Sequence, residues 1–323
     1  MTGECIIDGT DIAALGVFII RGGDNDLLSF PARKEPQQND WYEYDGIDAD
    51  LSQAYFKEKI VEVGFYITNS VPGRLEERLY GFFDLVSTPG IHQVYVRAFG
   101  RAFRLRYLDV PQTKQRGGLI KPGAKSATFT VRFSMDDPSQ LFALDSPQPT
   151  TPYGGKTYVE VDGTDLCRFG IIVNECYSTV LPYPALKEPL IIKEQYMTGL
   201  LAHSAQEQTF DVKQVVVACT MRARSTQEFY QNYEALFRSV TAGEEITLST
   251  FAGDEECFYA EMENFKKLAP FSRRPMASFD LRFTCTESGE ANILLATEDG
   301  CLIVTEDSDE IDEEFIDMKQ YGN

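Results

Sequence analysis

The sequence predicts a mainly β chain with one helix per module (α+β), built as two tandem antiparallel β-sandwich or barrel modules. Three observations predict it. The chain resembles itself: Asp8-Gly9-Thr10-Asp11 recurs as Asp162-Gly163-Thr164-Asp165, Gly16 as Gly170, and Pro31-Ala32 with Lys34-Glu35-Pro36 as Pro184-Ala185 with Lys187-Glu188-Pro189. Most of each half alternates apolar and polar residues, the period of a half-buried strand. One segment per half switches to helical spacing: Leu75, Leu79, Phe82, Phe83 and Val86, then Phe229, Tyr233, Leu236, Phe237 and Val240.

The repeat keeps its order to the end. Phe56 and Val61-Glu62-Val63 match Phe210 and Val215-Val216-Val217, and Ala127, Phe129, Arg132 and Phe133 match Ala277, Phe279, Arg282 and Phe283. Unrelated β segments do not reproduce one order of turns, strands and helix by chance, so a tandem duplication is expected. The boundaries predicted are 1–135 for the first module, 136–157 for a Pro/Gly-rich linker, 158–287 for the second module, and 288–323 for an acidic tail with a small hairpin near Asp299-Gly300.

Each module opens on a Gly-Thr-Asp turn into a strand, Gly16 to Ile20 and Gly170 to Val173. A proline-bounded loop follows. Asp40 to Asp45 alternates like a strand, and Ala54 to Thr68 reads as a longer one, with Thr209 to Met221 as its counterpart. The first helix is expected between Pro72-Gly73 and Pro89-Gly90, and the second is announced by Ser225 or Thr226 as N-cap and by Gly243 beyond its end. A hairpin comes next, turning at Gly100-Arg101 in one module and Gly253-Asp254 in the other. The closing strands are Thr128 to Met135 and Ser278 to Thr286.

The 323 residues carry a formal net charge of -20, with twelve acids against Lys319 alone from Glu287 to Asn323. Such a chain has no general attraction for phosphate backbones. The one basic stretch, Arg97, Arg101, Arg104, Arg106, Lys114 and Arg116, reads as the wet face of a strand pair. No apolar run is long enough for a membrane span, and the expected setting is soluble and cytoplasmic at synthesis. Seven cysteines without a C-x-x-C pair do not make a metal or disulfide framework. Cys167, Cys219, Cys257 and Cys285 fall opposite Ala13, Phe65, Ala102 and Met135, which are packing positions.

No catalytic, cofactor-binding or metal-ligating residue is assigned, and an enzyme is not expected. His92 and His203 fall at unmatched places, opposite Thr247 and Ala49, and the known nucleotide, protease and hydrolase motifs are absent. Asp136-Asp137 and Glu255-Glu256 sit at strand ends or turns. The twice-occurring Lys-Glu-Pro loop reads as a proline-fixed turn with one ion pair, or as the same inter-module contact made by both copies. Trp41, Tyr42, Tyr44, Tyr153 and Tyr158 lie outside the core periodicity, where aromatics mark interfaces or sugar sites. They carry the competing reading of a carbohydrate-binding or adhesion module protein.

With its turn, strand, proline loop, long strands, one helix, hairpin and a closing strand ending in Arg-Phe-Ser or Arg-Phe-Thr, each module resembles the tail-tube fold of long-tailed bacteriophages. Gly9-Thr10-Asp11 with Gly16, and Phe129-Thr130-Val131-Arg132-Phe133, look like the N-terminal domain of distal tail (baseplate) proteins. The resemblance implies a virion tail protein that self-associates into a ring around the tail channel and joins other phage tail proteins. Two linked modules imply either a trimer with pseudo-six-fold symmetry or a hexamer, through which DNA passes without specific binding. Many distal tail proteins carry a carbohydrate-binding-like second domain, and here a second copy of the first module stands in its place.

Overall fold

The structure, a computed structural model, describes residues 5–68, 74–116, 126–150, 155–188, 191–192, 198–199, 201–202, 209–241, 245–269, 271, 274–286, 295–296 and 302–303. In the first half the elements are β1 (Cys5–Ile7), β2 (Thr10–Asp11), β3 (Val17–Ile19), β4 (Gln38–Asn39), β5 (Asp48–Ala49), β6 (Lys59–Thr68), α1 (Leu75–Val86), β7 (Ile91–Val96), β8 (Arg101–Arg116) and β9 (Ser126–Met135). In the second they are β10 (Glu160–Val161), β11 (Thr164–Asp165), β12 (Ile171–Glu175), α2 (Tyr177–Val180), β13 (Ile191–Ile192), β14 (Leu201–Ala202), β15 (Gln214–Arg222), α3 (Thr226–Thr241), β16 (Ile246–Thr250), β17 (Gly253–Ala269) and β18 (Met276–Cys285).

Each half builds a seven-stranded antiparallel sheet, in the orders β2-β1-β7-β8-β9-β6-β3 and β11-β10-β16-β17-β18-β15-β12. Position for position, the two orders are the same. Alternation sets which face is apolar: β9 buries Ala127, Phe129, Val131 and Phe133, and β18 buries Ala277, Phe279, Leu281 and Phe283. On those faces lie the helices, α1 through Leu75, Leu79, Phe82 and Val86. Phe82 packs against Phe65 and Phe129 at 5.0 and 5.4 Å between ring centroids. The buried core is continuous from one sheet to the other.

The repeated Asp-Gly-Thr-Asp motif has a specific backbone job. Asp8 and Gly9, like Asp162 and Gly163, hold positive φ between two short strands, as a two-residue hairpin turn requires. The second aspartate of each motif accepts a hydrogen bond from the amide two residues on, Asp11 from Ala13 and Asp165 from Cys167. A single 3-10 turn follows and ends at Gly16 or Gly170, each at φ 71°. A side chain at Gly170 would put its Cβ 2.5 Å from the Arg222 carbonyl oxygen.

Several expectations are corrected. Asp40 to Asp45 is not a strand: β4 pairs with β5, and the residues between them form a loop. The hairpin turns lie at residues 97–100 and at Phe251-Ala252, because β7 pairs Val96 with Arg101 and β16 pairs Thr250 with Gly253. Register also moves two matches. His92 faces Leu105 as Ile246 faces Cys257, so the counterpart of His92 is Ile246 and that of Cys257 is Leu105. Within the residues read as a linker, Pro138–Leu141 form a 3-10 turn and Leu141 is buried. In the tail, Leu295–Ala296 pairs with Leu302–Ile303; Tyr153, His203 and Gly243 lie outside the described residues.

Candidate assembly interface

Among the described residues no three His, Cys, Asp or Glu side chains converge as a metal site. The described cysteines are buried and free, and burial pushes the Cys257 thiol up out of reach of thiolate chemistry at neutral pH. His92 is held in the fold, Nδ1 2.6 Å from an Asp8 carboxylate oxygen and Nε2 2.9 Å from the Thr88 carbonyl oxygen. Burial raises the Asp8 carboxyl, but hydrogen bonds from His92 and Gln93 outweigh it and bring it below its ordinary value. His92 therefore anchors the turn after β1. Asp136 is bound to Arg106 and Ser134, and Glu255 to Lys213. Two clefts of about 480 and 340 Å³ lie along the seam between the halves, the first lined by Gly23 and Gly64 from one side and Asn264 and Lys266 from the other. No helix among the described residues is long and apolar enough to cross a membrane.

The most extensive side-chain chemistry outside the two sheets is the contact between them. Its centre is Phe30, just before the repeated Pro-Ala. Phe30 is buried among Tyr233 and Phe237 of α3, Tyr259 of β17, and Phe142, with centroids 4.6 to 6.4 Å away. Phe142 itself stacks on Phe237 at 3.6 Å. Aromatic pairs of this kind each contribute about 0.5–1.5 kcal/mol beyond their buried area.

Around Phe30 the backbone of the first half is stitched to the second. Tyr233 donates its hydroxyl to the Leu28 carbonyl, Tyr259 donates to the Pro31 carbonyl at 3.1 Å, and the Arg33 amide donates to the Ala260 carbonyl at 2.8 Å. Burial raises both phenols far above their ordinary value, which keeps them protonated as donors.

Two further contacts flank this centre. Arg101, at the start of β8, places its guanidinium 2.7 Å from Glu234 and 4.5 Å from the Tyr230 ring. Glu234 is fully buried and also accepts from the Leu144 amide at 2.7 Å. Such a carboxylate is tolerable only because donors meet both oxygens. Arg101 thus departs from the wet-face reading of the arginine stretch. On the other flank, the loop between β4 and β5 clasps the second half. Lys187 Nζ, buried, donates to Asp40 Oδ1, the Trp41 carbonyl and the Gly46 carbonyl at 2.6, 2.8 and 2.7 Å. Thr209 and the Phe210 amide bind Tyr42 and Asp45 of the same loop.

The two Lys-Glu-Pro loops therefore do different things. Lys187 is an inter-module anchor, whereas Lys34 is exposed and the neighbouring Glu35 pairs with Lys57 at 3.7 Å. Of the aromatics outside the core periodicity, Trp41, Tyr44 and Tyr158 expose their side chains. Phe30 was legible in principle, as an aromatic fixed beside a repeated Pro-Ala. Glu234, an acid inside an apolar helix run, was a second signal; Phe142 had none.

The sequence matches no protein-family profile, and no curated protein matches it. Among solved structures, the chain is similar to the Dit (gp 19.1) protein of phage SPP1, whose crystal structure is described as a paradigm of the hub adsorption apparatus in phages infecting Gram-positive bacteria. The identity is 10%, the TM-score 0.33, and the alignment covers 88% of this chain and 98% of that one.

Proposed function

We propose that this chain is a non-enzymatic structural component of a phage tail tip, a distal tail, baseplate or hub protein that assembles around the tail channel and connects tube to tip proteins. The observation that carries the proposal is the way two sheets of one strand order meet. The first half contributes its proline loop, its β7–β8 turn and its β4–β5 loop; the second contributes α3, β17 and the Lys187 loop. Different surfaces of like units are in contact, so the packing is heterologous, and heterologous packing makes a ring wherever its repeated rotation closes. The resemblance of each module to the tail-tube fold supports the same reading, as does a net charge of -20, which lets DNA pass without adhering.

Negative-stain imaging of the purified protein tests this reading. Rings with a central channel are the expected result, and mass measurement in solution then separates three chains from six. Exposed Trp41 and Tyr44 on a loop pinned by Lys187 support a second reading, a glycan-binding platform. Monomers that bind a glycan array and lose binding on Trp41→Ala would favour it.

A further inference from the structure

The surfaces that join the two halves have counterparts that remain open. In the first half the joining loop is buried: Leu28, Phe30 and Arg33 are 0, 2 and 6% exposed. The matching positions of the second half are Leu181, Tyr183 and Leu186, placed by the repeated Pro-Ala and by the like bridges Arg33 to Phe56 and Leu186 to Phe210. They are 55, 49 and 49% exposed. On the receiving side the inversion runs the other way. Glu234 is 0% exposed on α3, while Tyr80, at the same place on α1, is 67% exposed. Phe83 and Tyr107, the counterparts of Phe237 and Tyr259, are only partly covered, and Lys34 is exposed where Lys187 is buried.

From this we infer that α1 and Tyr107 of one chain receive the Leu181–Leu186 loop of a second copy, repeating between chains the contact that joins the two halves within one. The inference rests on the ring reading above and names its surface. The charged centre of the intra-chain contact changes on both sides together. Tyr80 replaces Glu234, and Gly253, two residues after the exposed Phe251, replaces Arg101. Both partners of the ion pair are lost at once, so no buried charge would be stranded when Tyr80 meets Phe251. Exposed apolar side chains are thereby present on both surfaces, as a desolvated interface centre needs.

The test uses two full-length variants, each blocked on one surface: Tyr80→Arg on the receiving side and the pair Leu181→Asp, Leu186→Asp on the donating side. Each variant alone is expected to be monomeric in sedimentation, with self-association weakened about 30-fold or more. Mixed, they should form a one-to-one dimer, because one intact donor and one intact receiver remain; that dimer also shows that both variants fold. If the wild type forms rings and either variant forms them equally well, this contact is overturned while the ring reading stands. If each variant dimerises alone and the mixture adds nothing, the contact is isologous and the inference fails. A wild-type chain that stays monomeric at its highest soluble concentration overturns both.

Discussion

The two halves share one strand order and treat their helices differently. α1 is an ordinary amphipathic helix, with Leu75, Leu79, Phe82 and Val86 inward and Glu77, Tyr80 and Asp84 outward. α3 is buried more widely: Phe229, Leu236 and Val240 are buried as in a one-sided helix, and Tyr233, Glu234 and Phe237 in addition meet the first half. A second contrast concerns a matched pair of buried lysines. Lys213 holds Glu255 at 2.5 Å, whereas Lys59 donates to the Ser29 carbonyl. One strand order therefore accommodates both a one-sided and a two-sided helix. What differs is whether a neighbouring loop is present, and the side chains at the contact follow from that.

The largest way to break the contrast is to empty the contact between the halves. Phe30→Ala should destabilise the chain by about 3–5 kcal/mol, while Tyr183→Ala, half exposed in the isolated chain, should cost under about 1 kcal/mol. Denaturant unfolding measures both, and equal costs would mean that the two loops are not differently engaged.

Next in size is the buried carboxylate. Glu234→Gln keeps the shape but leaves Arg101 without its charged partner, an expected loss of about 2–3 kcal/mol. Tyr80→Gln on α1 should be within about 0.5 kcal/mol of neutral. Smaller again, Lys187→Ala removes three hydrogen bonds to the clasping loop and should cost about 2 kcal/mol, against no measurable cost for Lys34→Ala in a monomer. Proteolysis of the loop between β4 and β5 offers a second readout, faster in Lys187→Ala alone.

A change of pH sharpens the lysine contrast. Burial brings Lys59 down to about 7, with the charge of Asp26 opposing the shift. A lysine whose folded value is depressed binds fewer protons folded than unfolded between about pH 7 and its unfolded value near 10. Stability should therefore rise with pH across that window, by at most about 1.4 kcal/mol per unit from this group. Lys59→Met should remove that rise; an unchanged slope would show that Lys59 keeps its charge in the fold.

Much of the module was legible because strand and helix periods are local properties. The alternation of Ala127, Phe129, Val131 and Phe133 placed β9 and its inward face, and the spacing from Phe229 to Val240 placed α3. The repeat identified which strands correspond, although register shifted His92 and Cys257 from their expected partners, since hairpin turns of unequal length are invisible to a linear match. Asp40 to Asp45 misled for another reason. Aromatic and acidic residues are interleaved there as in a strand, but the Trp41 and Tyr42 carbonyls accept from Lys187 and Thr209 of the other half and the Asp45 carboxylate accepts from the Phe210 amide.

The candidate interface was mostly illegible. Phe142 in a proline-rich stretch and Arg101 in a basic one look solvated when read locally, and only the approach of α3 makes one an apolar contact and the other a buried ion pair. Sequence alone determined the long strands, the two long helices, their apolar faces and the Asp-Gly-Thr-Asp turns, because torsional preference and side-chain period act over a few residues. Only the tertiary structure decided that the two halves meet through unlike surfaces and that Lys187 is buried while Lys34 stays open. Burial depends on what another part of the chain brings within van der Waals range, and no local period encodes that.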